Sequence, residues 1–187
     1  MRRIFIALIA CLSFLGCKKS ENVEQYHSSF SYTSGQKYDA PNAYLRVEGY
    51  SSTQQIYYLS LTFATGGVAF DTTTKNLKGY GNAIKFYLYS PSNTEVPTGR
   101  YPYTNPINPS NVFFQTQKVE VFTNNYSFNY TTNQQGFLYN KTNSGWIDIV
   151  KNGLNYDISY VANVGYSNGN LYDPISVFGD FKGELVH

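Results

Sequence analysis

The chain has 187 residues, a formal net charge of +2 and only 14% charged side chains. It offers no basic patch suited to nucleic acid and no acidic tail. Setting aside an apolar leader, about 170 residues remain, enough for one domain with a good core and too few for two comfortable ones.

Nineteen Tyr and 13 Phe stand against one Trp and one Met, and the only two cysteines are Cys11 and Cys17. Tyr, Phe, Thr and Val favour strands, Asn and Gly favour turns, and no segment shows sustained helical spacing. Everything after Cys17 lacks a thiol, so disulfides and cysteine nucleophiles are excluded there. Stability must come from core burial and strand pairing.

In chain order, Arg2-Arg3 come first, then an apolar run from Ile4 that ends at Leu15-Gly16-Cys17. The run is about a dozen residues, short of the ~20 that span a bilayer, and has the layout of an export signal. Phe14-Leu15-Gly16-Cys17 resembles the lipobox of bacterial lipoproteins. That resemblance implies removal of residues 1–16 as a signal peptide, lipidation of the Cys17 sulfur and acylation of its new amino terminus. Leu8-Ile9-Ala10-Cys11 also fits the pattern. Cutting there would leave a very short apolar core, whereas the change to Lys18-Lys19-Ser20-Glu21 falls just after Cys17. Several acyl chains hold a protein on a membrane for its lifetime, so the implied partner is a lipid bilayer. The implied location is the bacterial outer membrane. Lys18 is not the inner-membrane retention aspartate, and Glu21 and Glu24 leave the periplasmic and outward faces both open.

Residues 17–42 are read as the lipidated cysteine and a polar tether, and residues 43–187 as a single β-domain. Strand signals begin at Ala43–Tyr50. In Ile56–Phe63, Leu59, Leu61 and Phe63 share one face while Tyr58, Ser60 and Thr62 share the other, which is the period of a strand with one dry side. Thr65-Gly66-Gly67 is expected to be a hairpin turn into Val68-Ala69-Phe70. Ala83–Tyr89 repeats the alternation, with Ile84, Phe86 and Leu88 inward. Pro91, Pro97, Pro102, Pro106 and Pro109 mark a long excursion with a short edge strand near Arg100-Tyr101. Asn124-Asn125 is expected to close a hairpin through a type I′ turn. Trp146–Val150 and Leu154–Tyr160 are expected to pair around Asn152-Gly153, with Leu154 and Tyr160 on the dry side. Ser167–Asn170 turns the chain again. Ser176–Leu185 closes it with Val177, Phe181 and Leu185 on one face, and Gly179 and Gly183 mark bulges or a close approach.

Pro97–Tyr101, Gly145–Ile149, Leu154–Ile158 and Phe178–Leu185 together resemble the small β-rich lipoproteins common in the Bacteroidota. That resemblance implies an antiparallel meander ending the domain and supplies no catalytic residues. The expected fold is all-β, an antiparallel two-sheet sandwich, with a lipocalin-like closed barrel as the alternative.

Chemistry-bearing residues are few. The two histidines, His27 and His187, lie outside the strand patterns, and no metal site or cofactor motif is read. In the expected register Asp148 and Asp157 face each other on the wet side of the hairpin, an arrangement that normally destabilises a ladder and suits a shared proton, a cation or glycoside chemistry. Tyr58, Tyr87, Tyr89, Tyr101, Tyr103 and Trp146 are the candidate stacking surface, since flat rings with polar tips suit sugars and protein interfaces. Asp71-Thr72-Thr73 resembles a short O-glycosylation motif of Bacteroidota envelopes. The function expected is a non-catalytic binding module for a glycan or an envelope protein. A carboxylate-dependent glycoside hydrolase and a lipocalin-like carrier are the alternatives.

Overall fold

The computed structural model describes residues 28–105, 115–129, 136–168 and 171–187. The expected signal peptide, Cys17, the polar segment up to residue 27, Pro106, Pro109 and residues 169–170 of the expected Ser167–Asn170 turn lie outside them.

The described chain forms twelve strands: β1 (Ser29–Tyr32), β2 (Lys37–Asp39), β3 (Asn42–Ser51), β4 (Ile56–Ala64), β5 (Val68–Asp71), β6 (Asn76–Ser90), β7 (Gly99–Pro102), β8 (Thr116–Ser127), β9 (Phe137–Tyr139), β10 (Lys141–Asn152), β11 (Asn155–Asn168) and β12 (Leu171–Glu184). They make a two-sheet antiparallel sandwich that does not close into a barrel. The first sheet has the order β2-β1-β12-β11-β10-β7 and the second β3-β4-β6-β8-β9, with β5 paired to β6. The sandwich therefore already includes Ser29–Tyr32, ahead of the expected boundary at Ala43. Phe30 and Tyr32 supply core side chains, and β1 pairs with β12, so the stretch read as tether up to residue 42 is partly folded domain.

Period two builds the core. Leu59, Leu61, Phe63, Ile84, Phe86, Leu88, Val119 and Val121 point in from the second sheet, and Tyr101, Ile147, Ile149, Ile158, Tyr160, Val177 and Phe181 from the first. Each such fully buried side chain is worth about 1.5–3 kcal/mol. Phe63 stacks on Tyr160 across the sandwich, with centroids 4.6 Å apart and planes 21° from parallel.

Three turns differ from expectation. Thr65–Gly67 is a corner, not a hairpin: β5 pairs with the first part of β6, while β4 pairs with the second. β6 changes partners at Gly79–Gly81, where a Cβ on Gly81 would lie 2.4 Å from Thr65 Oγ1 and 2.7 Å from Val68 Cγ2. The β5–β6 hairpin thus curls over the outer face of the second sheet, where Tyr44, Val68, Phe122 and Tyr126 form a smaller core with Phe70 and Leu77. Asn124 and Asn125 do adopt the left-handed backbone of a type I′ turn, with φ of 54° and 60°. Yet β8 runs straight through them. They bulge out of its pairing with β6, and the Asn125 amide donates to Asn82 Oδ1.

In the β10–β11 hairpin, Asn152 pairs with Asn155, so Gly153-Leu154 is the turn. Gly153, at φ 64°, takes the first turn position, and Leu154 does not share the positive φ that a type I′ turn needs. Leu154 is 75% exposed and leaves the dry side on which it was placed. The expected edge strand is β7, paired to β10.

Gly179 sits opposite Tyr160, and a Cβ there would lie 2.5 Å from Ser29 O and 2.7 Å from Tyr160 Oη. Gly179→Ala should cost about 1–3 kcal/mol by overpacking. Gly66→Ala, where nothing lies within 4 Å, should cost far less. Urea denaturation of the two variants checks the contrast.

Candidate functional site

Since the inward parity of the first sheet fills the core, the alternate residues face solvent. The registers align them into rows that cross the strands. One row runs Phe178 (β12), Val161 (β11), Trp146 (β10) and Pro102 (β7), each directly opposite the next. Phe178 is 50% exposed and Val161 37%, Trp146 is half-buried and Pro102 is exposed. Four strands at about 4.8 Å spacing make an apolar stripe roughly 14 Å long.

Polar rows flank the stripe. On one side, Arg100 faces Asp148, Asp148 faces Ser159 and Ser159 faces Asp180. Arg100 Nε lies 3.2 Å from Asp148 Oδ1, and the guanidinium stands 4.4 Å from the centroid of the Trp146 ring. The indole is thereby held by a cation–π contact while the charge is met by a carboxylate. On the other side, Asn143 Nδ2 donates to Asn163 Oδ1 at 3.1 Å, and Asn163 Nδ2 to Ser176 Oγ at 3.3 Å.

This register corrects the acidic pair. Asp148 faces Ser159, and Asp157 faces Val150 and Lys182. Asp157 Oδ2 lies 2.9 Å from Lys182 Nζ. Each carboxylate thus meets a cation on a neighbouring strand, and the expected direct opposition of the two is absent.

The six aromatics do not form one surface. Trp146 stands on the first sheet's face. Tyr101, at the end of the proline-rich loop, is fully buried in the core and donates to Pro97 O at 2.7 Å, so it presents no stacking face. Tyr103 is half-buried, and its amide donates to Gly145 O. Tyr58, Tyr87 and Tyr89 belong to the opposite, second sheet. Tyr89 is buried, with Tyr58 edge-on at 5.2 Å. Tyr87 Oη donates to Glu120 Oε2 at 2.8 Å, and Lys85 Nζ lies 4.6 Å from its ring centroid. Burial and the Glu120 carboxylate push the Tyr87 phenol far above its ordinary range. Val161 and Phe178 were not singled out from sequence. The signal for Phe178 was present: it falls between Val177 and Gly179, out of phase with the inward face of β12.

The second sheet's outer face is a closed charge network instead. Glu48 accepts from Ser60 Oγ at 2.7 Å and pairs with Lys85 at 3.1 Å and Arg46 at 3.6 Å. Among the described residues no three His, Cys, Asp or Glu side chains converge, and no helix is long and apolar enough to cross a membrane. Asp71 lies in the hairpin that carries Thr72 and Thr73, and its carboxylate accepts the amides of Thr73 and Thr74. Set against family models, curated proteins and solved structures, the chain matches none.

Burial pushes the Glu48 carboxyl up, but the Ser60 hydroxyl, Lys85 and Arg46 outweigh it and hold the group below its ordinary range. A depressed carboxyl stabilises the fold above its unfolded-state value and loses that contribution as pH falls through the folded-state value. The urea midpoint should therefore drop on acidification below about pH 4, and Glu48→Gln should flatten that drop.

Proposed function

We propose that the chain is the binding module of a membrane-anchored envelope lipoprotein, and that the outer face of the first sheet contacts a glycan. The observation that supports this reading is the straight apolar stripe Phe178–Val161–Trp146–Pro102, bordered by amides, hydroxyls and carboxylates. Sugar rings present C–H faces that stack on such a stripe and hydroxyls that reach the polar rows on either side. Beside it Arg100 is paired with Asp148 and Lys182 with Asp157, and Asp180 adds a further negative charge, which favours an uncharged ligand over a strongly anionic one. The module is non-catalytic in this reading, because those carboxylates are occupied in holding the face together.

Anchoring at Cys17 places the module at the outer membrane, where extracellular or periplasmic glycans are within reach. Intact-mass measurement of the native protein should show a chain starting at Cys17 and carrying acyl groups. A start elsewhere, with no lipid, would remove the anchor from the proposal.

A glycan array on the fluorescently labelled domain tests the binding. The expected result is retention of neutral glycans, lost by tenfold or more in Trp146→Ala and Phe178→Ala with the fold intact. Trp146 is the only tryptophan, so its own emission should shift on titration with a retained glycan. A silent array, or binding untouched by both variants, would overturn the assignment.

A further inference from the structure

A groove on the second sheet lies apart from the glycan face. It holds about 520 Å³ between β3 (Arg46, Val47), the β5–β6 hairpin (Phe70, Lys75), Thr94 and His187. Pockets for small organic ligands run about 300–1,000 Å³. The walls are fixed in advance. Tyr44 Oη donates to Val68 O at 2.8 Å, the Tyr44 and Phe70 rings stack at 5.6 Å, and Arg46 Nη1 donates to Asn76 Oδ1 at 2.9 Å. These contacts pin the curled hairpin along β3.

The floor is apolar and exposed. Val47, at the β3 bulge, is 45% accessible and lines the groove beside Phe70. The rim carries a cation without a counter-charge. Among the described residues Lys75 forms no ion pair. Its ammonium stands 5.9 Å from the centroid of the Phe70 ring. The neighbouring acidic side chains are engaged: Glu48 by Ser60, Lys85 and Arg46, and Asp71 by Lys78 and two backbone amides.

An apolar trough with one unmatched positive charge at its lip fits a small amphiphilic acid. We propose that this groove binds an aliphatic carboxylate, its chain along Val47 and Phe70 and its carboxylate on Lys75. The site shares no residue with the glycan face, so it stands or falls independently of that reading.

Calorimetry with decanoate below its micellar concentration tests it, using a chain that starts at Lys18 and so keeps every described strand. Decanol and inorganic phosphate are the comparison probes. Lys75 has a left-handed backbone at φ 56°, which asparagine tolerates, so Lys75→Asn removes the charge without straining the turn. Val47→Asp places a repelling carboxylate on the floor. Decanoate should bind at one site, decanol roughly tenfold more weakly, and phosphate not measurably. Lys75→Asn should bring decanoate down to the level of decanol, and Val47→Asp should abolish binding with the circular dichroism unchanged. Absence of decanoate binding, equal binding of decanol, or binding indifferent to both variants would each overturn the proposal.

Discussion

The stack of Phe63 on Tyr160 is the contact on which the two sheets depend. It joins the end of β4 to the middle of β11, and Phe86 and Phe181 pack against the same pair. Gly179 provides the room, since any side chain there would strike the Tyr160 ring. The Tyr160 hydroxyl is buried without a hydrogen-bond partner among the described residues, a cost of about 1–3 kcal/mol that the ring's burial offsets. Burial also drives its ionisation far above the ordinary range, so it stays neutral wherever the protein is folded.

Once inward positions are committed to that core, the outward ones are free to vary, and the two outer faces use that freedom differently. The second sheet folds a hairpin over part of itself and closes the rest with Glu48, Lys85, Tyr87, Glu120 and Lys118. The first sheet leaves a stripe of apolar groups in the open and spends its charges on cross-strand pairs beside it. Exposed ion pairs of that kind add little stability, about 0–1 kcal/mol each. Their effect is to fix the orientation of Trp146 and to cancel local charge.

Much of the fold was legible because period two is a strong signal when one side is dry. Leu59, Leu61 and Phe63, and likewise Ile84, Phe86 and Leu88, lie where the alternation put them. The same signal failed at the β10–β11 hairpin for a definite reason. It forbids odd slips, which would turn Ile147 and Ile149 outward, and is blind to even ones. The observed register differs by two, so the core set survived while the opposition of Asp148 to Asp157 did not. Asn124-Asn125 misled in another way. Its local conformation was right, but the pairing of β8 with β6 overrode the reversal it would otherwise have closed. The exposed stripe required four strands in register, and a single sequence does not give that. Tyr101 looked like a loop residue because prolines surround it, yet β7 turns it into the sandwich.

The pairing of β1 with β12 has a further consequence. Ser28 and Lys182, 154 positions apart, are joined by a hydrogen bond, and Val186 hydrogen-bonds both Ala43 and Leu45. A ribosome, which releases the chain from its amino end, makes β12 available long after β1. Phe30 and Tyr32 then lack their neighbour, and the sandwich has no stable partial form in which β1 is seated. Seating of β1 is therefore a late event of folding, set by the arrival of a strand more than a hundred residues away.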